Sequence, residues 1–548
     1  MMRSKSLFSA LLFIATAVSV PAANAQVNVK FIGAVSSAMW QLMPIAAFNN
    51  LAGSGAHHFT VKGNCTSGPC GFIDDTQRSA SIANEGGNLW IVWDSTLSNV
   101  WAYVSVDSVV GNRAFYANPR TTLDIDADTL TGVPASQTNL ISPALWGADD
   151  PVLPPDIYNA LNFTTITAGM TDIRPEDAYY ASCRAMNPLD TTLYEGLGYG
   201  VGCNGATLVG TPIQSAFSGA TANPVEFVLD GFNDPFSGFV VPPSATISVG
   251  AAPVVFLINK TNPNGLGATS GGNPVFTNIA ASDVQHLFNG DECDGNAFNA
   301  PGAPPNFPVH VMLREPLSGT MNTIEFTIFR LTATYPNTQE KNVDPSSATG
   351  NPLNQFCTSG GGDQKRGIGT GEIVGTAVHN TTDSLGYAFF SYGNVSSIAG
   401  TTNYGYLTLD GVDGIKSTYV DGQLPTCSAP AFCPAVPGTS FPHLRDGTYR
   451  SWSVLRVVTD PFPSPNFINA QTLVTQAQTH INDQVPDFVP FIGFGGDPGL
   501  QLYRSHFTPL GQTVIPNNGL GGQTEAGGDV GGCIEPVSPP PGVLGCRQ

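Results

Sequence analysis

Charge is what this chain has least of. Lys, Arg, Asp and Glu make up 11% of its 548 residues, against about 25% in an ordinary globular chain. Basic residues are the scarcer kind: 21 Lys and Arg face 41 Asp and Glu, a net charge of −20. That balance argues against nucleic acid or an anionic membrane as a partner, since both reward clustered positive charge. Long apolar runs are also missing once the first residues are passed. Beyond Val20 no stretch of about 18 apolar residues occurs, so no later segment is expected to span a membrane. Gly-x-Ser-x-Gly and His-Glu-x-x-His are both absent, which removes the usual signatures of a serine-hydrolase elbow and a zinc protease. No Cys-x-x-Cys occurs, so the ten cysteines do not read as zinc ligands.

What is present points outward from the cytoplasm. Arg3 and Lys5, the apolar run Leu7 to Val20, and Ala23-Asn24-Ala25 form the pattern of a secretory signal peptide over residues 1–25, with cleavage after Ala25. An even number of cysteines in an exported chain favours disulfides. Pairing nearest neighbours gives Cys65–Cys70, Cys183–Cys203, Cys293–Cys357, Cys427–Cys433 and Cys533–Cys546. The expected location is periplasmic or extracellular. Gly and Pro, 61 and 44 of them, imply many turns.

Hydrophobic patterning alternates between strands and helices. Gln26 to Ile32, "LWIVW" (Leu89 to Trp93), "VWAYVSV" (Val100 to Val106), "ATISVGAAPVVFLINK", "SLGYAFFSY" and "SWSVLRVV" read as strands. Ala38 to Leu51, "ASDVQHLFNG" and Asn469 to Ile481 read as helices, the second capped by Ser282 or Asp283 and stopped by Gly290. That alternation predicts an α/β fold. The adjacent His57 and His58 are expected on a surface loop, and "DIDAD" (Asp124 to Asp128) as a polar loop. Residues 53–99 read as an inserted β region, and the Gly/Pro-rich tail as a disulfide-stapled loop.

One unit stands out chemically. In "REPLSGT", Arg314 to Thr320, an arginine closes a strand and Ser-Gly-Thr opens the next helix. Free N–H groups at a helix start, a glycine that admits close backbone approach, and a planar guanidinium fork together suit an oxyanion. Further motifs surround it in order: Gly33-Ala34-Val35-Ser36-Ser37, Tyr103 to Ser108, Thr171-Asp172, Leu287-Phe288-Asn289-Gly290 and Gly386-Tyr387. In this order the chain resembles the phosphate-binding proteins of bacterial ABC importers, as an enlarged variant of the type 2 periplasmic binding protein fold.

The resemblance implies two hinged lobes: 26–254 with the return segment 441–548, and 255–440. It implies phosphate, or a similar oxyanion, held between them by Ser37 (or Ser36 in its place), the Ala38 N–H, Ser108, Asp172, Arg314, Ser318, Gly319 and Thr320. Asp172 would accept a hydrogen bond from a ligand that keeps a proton. A buried acceptor of that kind rejects sulfate, because an unprotonated anion leaves the carboxylate unpaired. The implied protein is a monomeric solute receptor, needing no cofactor or metal and performing no catalysis, whose closed form meets the membrane subunits of an importer. The alternatives are an extracellular structural or interaction protein reusing the two lobes without a small ligand, and a phosphate-ester hydrolase.

Overall fold

The computed structural model describes residues 27–53, 55–62, 87–116, 119–173, 199–201, 207–212, 243–314, 318–329, 339, 355–367, 369–426, 440–480, 487–494, 497–505 and 533–536. The expected signal peptide lies outside these residues, as do both cysteines of three expected disulfides and Cys546 of a fourth. The architecture is mixed α/β, with strands and helices alternating along the chain.

The first half is built on the strand Val29–Ser36. It lies between Val100–Val106 and Ala168–Thr171, parallel to both. Asn88–Trp93 and His57–Lys62 then extend the sheet antiparallel towards its edge, so the residues read as an insertion lengthen this sheet. "LWIVW" and "VWAYVSV" are almost continuously apolar because strands covered on both faces have no solvent side to mark with polar residues. Trp90 and Tyr103 face each other across the ladder and stack with ring centroids 5.1 Å apart, a cross-strand pair of the kind that fixes register.

Parallel strands need a crossover. The helix Ser108–Tyr116 provides one, packing on Val29–Ser36 and Ala168–Thr171. Gly111 permits that contact: a Cβ there would overlap the Ala34 carbonyl oxygen. Ser108 is the first residue of this helix. The two histidines depart from expectation. They open the edge strand His57–Lys62, with His58 buried and stacked on Trp146 at 4.0 Å, its Nδ1 2.9 Å from Asp149. An aromatic neighbour and an aspartate hold each imidazole in place.

The second half centres on His310–Arg314, parallel to Asp363–Gly367 and to Ser384–Phe389. The helix Ala281–Phe288 packs beside it. Its N-cap is Ala280 rather than Ser282 or Asp283, and the Asp283 carboxylate accepts the Ala280 N–H at 3.1 Å. Cys293 and Cys357 form a disulfide.

The halves share a strand. Ala245–Asn259, 15 residues long, pairs antiparallel with Trp452–Thr459 up to Pro253 and with Ser384–Phe389 from Val254 onward. Trp452–Thr459 in turn pairs with Ala168–Thr171. One ladder of strands thus runs through both halves. No helix among the described residues is long and apolar enough to cross a membrane.

Candidate functional site

Strand ends from both halves converge on one place. From the first half come Ser36 and Ser37, at the end of Val29–Ser36 and the start of a short 3-10 turn, Asp107 and Ser108, where Val100–Val106 turns into its helix, and Asp172, just past Ala168–Thr171. The second half supplies Arg314, the last residue of His310–Arg314, and Ser318, which caps the helix Gly319–Ile324. Carboxyl ends of parallel strands collect in this way because each crossover begins there, and ligands of open α/β sheets bind at such ends.

Within the first half, Asp172 is the hub. Ser108 Oγ donates to its Oδ1, and Ser36 Oγ lies 3.4 Å from its Oδ2. Asp172 has no solvent exposure. Burial pushes its carboxyl up to about 6, against the lowering pull of the Ser108 hydroxyl, a backbone N–H and Arg314, while Asp107 pushes the same way as burial. The Ala38 N–H, expected to face a ligand, donates to Ser36 Oγ at 3.3 Å. Ser36 therefore serves both the turn and the carboxyl, and Ser37 is left to face the other half.

Two polar contacts join the halves here. Ser37 Oγ donates to Thr370 Oγ1 at 2.8 Å, and Arg314 Nη2 is ion-paired with the Asp107 carboxylate. Within the second half, Arg314 Nη1 donates to the same Thr370 oxygen at 2.8 Å. Gly319 sits directly against Asp172, so that a Cβ on it would overlap Asp172 Oδ1 and Ser108 Oγ. Only glycine allows the Ser-Gly-Thr turn to lie this close to Asp172 and Ser108. Ser318, Thr320 and Arg314 are all buried. Behind the arginine, its backbone N–H reaches the Tyr387 hydroxyl at 3.4 Å, and that hydroxyl donates to Gln339 at 2.6 Å.

Of the expected set, Ser108, Asp172, Arg314 and Gly319 fall in one connected cluster, with Ser37 bound to it through Thr370. Ser318 and Thr320 flank Gly319, while the Ala38 N–H is turned to its own capping serine. The sequence reading missed Asp107 and Thr370. Asp107 precedes Ser108 in "VDSVVG", an acid at a strand-to-helix turn, and Thr370 lies between two glycines in "GTGE". Both are signals that a ligand-lining turn shares with ordinary loops. A third omission is Asp487, buried nearby, whose two oxygens accept the Leu42 and Tyr392 N–H groups at 3.0 Å each. Burial raises its carboxyl to about 7, against the N–H groups of Tyr392, Leu42 and Gln41.

The chain has distant likenesses among solved structures. The chain is similar to the high affinity periplasmic phosphate-binding protein PfluDING, with 11% identity and a TM-score of 0.33 over 84% of this chain and 90% of that one. A phosphate binding protein from Stenotrophomonas maltophilia matches with 12% identity and a TM-score of 0.32 over 69% of this chain and 77% of that one. An ABC-type phosphate transport receptor from Vibrio cholerae matches with 12% identity and a TM-score of 0.24 over 43% and 71%. No family model matches the chain, and no curated protein does. Likeness at these levels shows no function, ligand or partner for this chain.

Proposed function

We propose that this chain is an exported receptor that captures phosphate, or a closely similar protonated oxyanion, between its two lobes and delivers it to an ABC importer. The observation that carries this reading is the buried Arg314 guanidinium, brought by one lobe against the serine and carboxyl cluster of the other. A buried guanidinium offers a planar fork of donors matched to two oxygens of a tetrahedral anion. Ser37, Ser108, Ser318 and Thr320 add hydroxyl donors from both sides, and Gly319 adds backbone at close range. Asp172 supplies the one acceptor, and burial keeps it from being a strongly acidic one.

An acceptor among donors sorts ligands by their protons. Hydrogen phosphate can donate to Asp172, whereas sulfate cannot and leaves the carboxylate facing a lone pair. A charge-assisted hydrogen bond of this kind contributes about 1.5–3 kcal/mol, or roughly ten- to hundredfold in affinity. The division into lobes at about 254 and 440 belongs to the same proposal. It is supported by the change of partner along Ala245–Asn259 between Pro253 and Val254. No nucleophile, base or metal enters the reading, which is one of binding and release.

The test is calorimetric titration of the protein, freed of bound ligand by unfolding and refolding, with phosphate and then sulfate. Phosphate should bind, sulfate should bind far more weakly, and Arg314→Ala should abolish the heat. Asp172→Ala should narrow the gap between the two anions. Equal binding of both anions by the parent protein, or heat from neither, refutes the reading.

A further inference from the structure

Asp107 has no place in the anion-holding set, yet it holds the central cation. Its carboxylate comes from the first lobe and is ion-paired with Arg314 Nη2 of the second, the two side chains 5% and 2% exposed. The other terminal nitrogen, Nη1, is engaged by Thr370, which also receives Ser37 across the lobes. A carboxylate is the nearest side-chain imitation of an oxyanion: planar, singly charged, and able to take the fork of an arginine. An anion entering the cleft meets a guanidinium already matched to one. Asp107 and the newcomer compete for it, because two anions on one buried cation repel, as Asp107 already does in pushing the Asp172 carboxyl upward.

We propose that Asp107 sets the affinity of this site as its internal competitor: it closes the empty cleft by occupying Arg314 from the opposite lobe, and the entering oxyanion displaces it. The displacement half of the proposal rests on the oxyanion reading above, whereas the closing half concerns the ligand-free protein alone. A latch of this kind lowers the apparent affinity by the fraction of molecules whose arginine is available. It also gives release a driving force, since Asp107 returns to the guanidinium as the ligand leaves.

The experiment compares the parent protein with Asp107→Asn, which keeps the shape of the side chain and removes its charge. Small-angle scattering of the ligand-free proteins reads closure, and calorimetry with inorganic phosphate reads competition. Asp107→Asn should show a larger radius of gyration when empty and should bind phosphate about tenfold more tightly or better. Arg314→Gln breaks the same pair from the other lobe and should show the same empty-state expansion, which covers the case in which Asp107→Asn does not fold. An unchanged radius in the variants overturns the latch. Unchanged or weaker phosphate binding by Asp107→Asn overturns the competition and makes Asp107 a residue that positions Arg314. If the parent protein binds no oxyanion, the oxyanion reading and the displacement fall together, while scattering still decides whether the pair closes the empty protein.

Discussion

Replacing Asp172 by asparagine isolates one titration in the centre of the site. The buried carboxyl titrates at about 6 in the folded protein, raised from 3.8. A raised folded value means that the folded state holds this proton more tightly than the unfolded chain does. The group's favourable contribution is therefore complete below 3.8 and is lost as pH rises through 6. At 1.36 kcal/mol per unit, the loss amounts to about 3 kcal/mol. Asparagine has nothing to titrate, and its amide can still meet the Ser108 hydroxyl. The stability of Asp172→Asn relative to the parent protein should therefore rise by about 3 kcal/mol between roughly pH 4 and pH 6.5, and stay level above that. Urea unfolding of both proteins at half-unit pH steps, without phosphate, measures this difference. Asp487, raised in the same direction, is common to both chains and cancels. A difference that is flat across the range, or that falls with pH, refutes the argument. A falling difference means that Arg314 and the hydroxyl donors outweigh desolvation, so that the charged carboxylate is the preferred form.

Two further substitutions probe the closure and the staple. Gly319→Ala places a methyl group where Asp172 Oδ1 and Ser108 Oγ stand, and overpacking of this kind costs about 1–3 kcal/mol. Phosphate affinity measured by calorimetry should fall by roughly ten- to hundredfold, and retention of full affinity would show that the turn does not close on Asp172. The Cys293–Cys357 bridge spans 64 residues of sequence, for which chain-entropy arguments give about 4 kcal/mol of stabilisation. The double variant Cys293→Ser/Cys357→Ser should lower the urea-unfolding free energy by an amount of that order, and a loss under about 1 kcal/mol would mean that the unfolded chain is already compact there.

The parts of the fold that local patterning governs were legible in the chain. "LWIVW" and "VWAYVSV" are strands because their apolar runs leave no solvent face, and they pair with each other as two adjacent buried strands would. Arg314 and the Ser-Gly-Thr cap stand where a strand ends and a helix begins, as the residue types imply. What could not be read locally is whatever depends on the opposite lobe. Nothing in "VDSVVG" says that Asp107 reaches a guanidinium 207 positions away. Nothing in "QVPDFVP" says that Asp487 gathers N–H groups from two distant turns. Helix type was also hidden. Ala47–Leu51, Glu325–Phe329 and Ile373–Val378 are wound as π-helix, which short apolar stretches cannot distinguish from α-helix. His58 was misjudged because its aspartate and its aromatic partner lie some ninety residues downstream.

The strand Ala245–Asn259 extends for about 50 Å at the usual rise per residue, and it pairs with strands of both halves. Two bodies joined by a flexible tether can be traded, duplicated or lost separately, because cutting the tether exposes nothing. A cut at Pro253–Val254 would divide a ladder instead, and each fragment would carry a row of open backbone donors and acceptors, the kind of edge that invites aggregation. The two halves of this sheet are thus held together by one unbroken strand. A change that suits one half must be tolerated by the other in the same molecule.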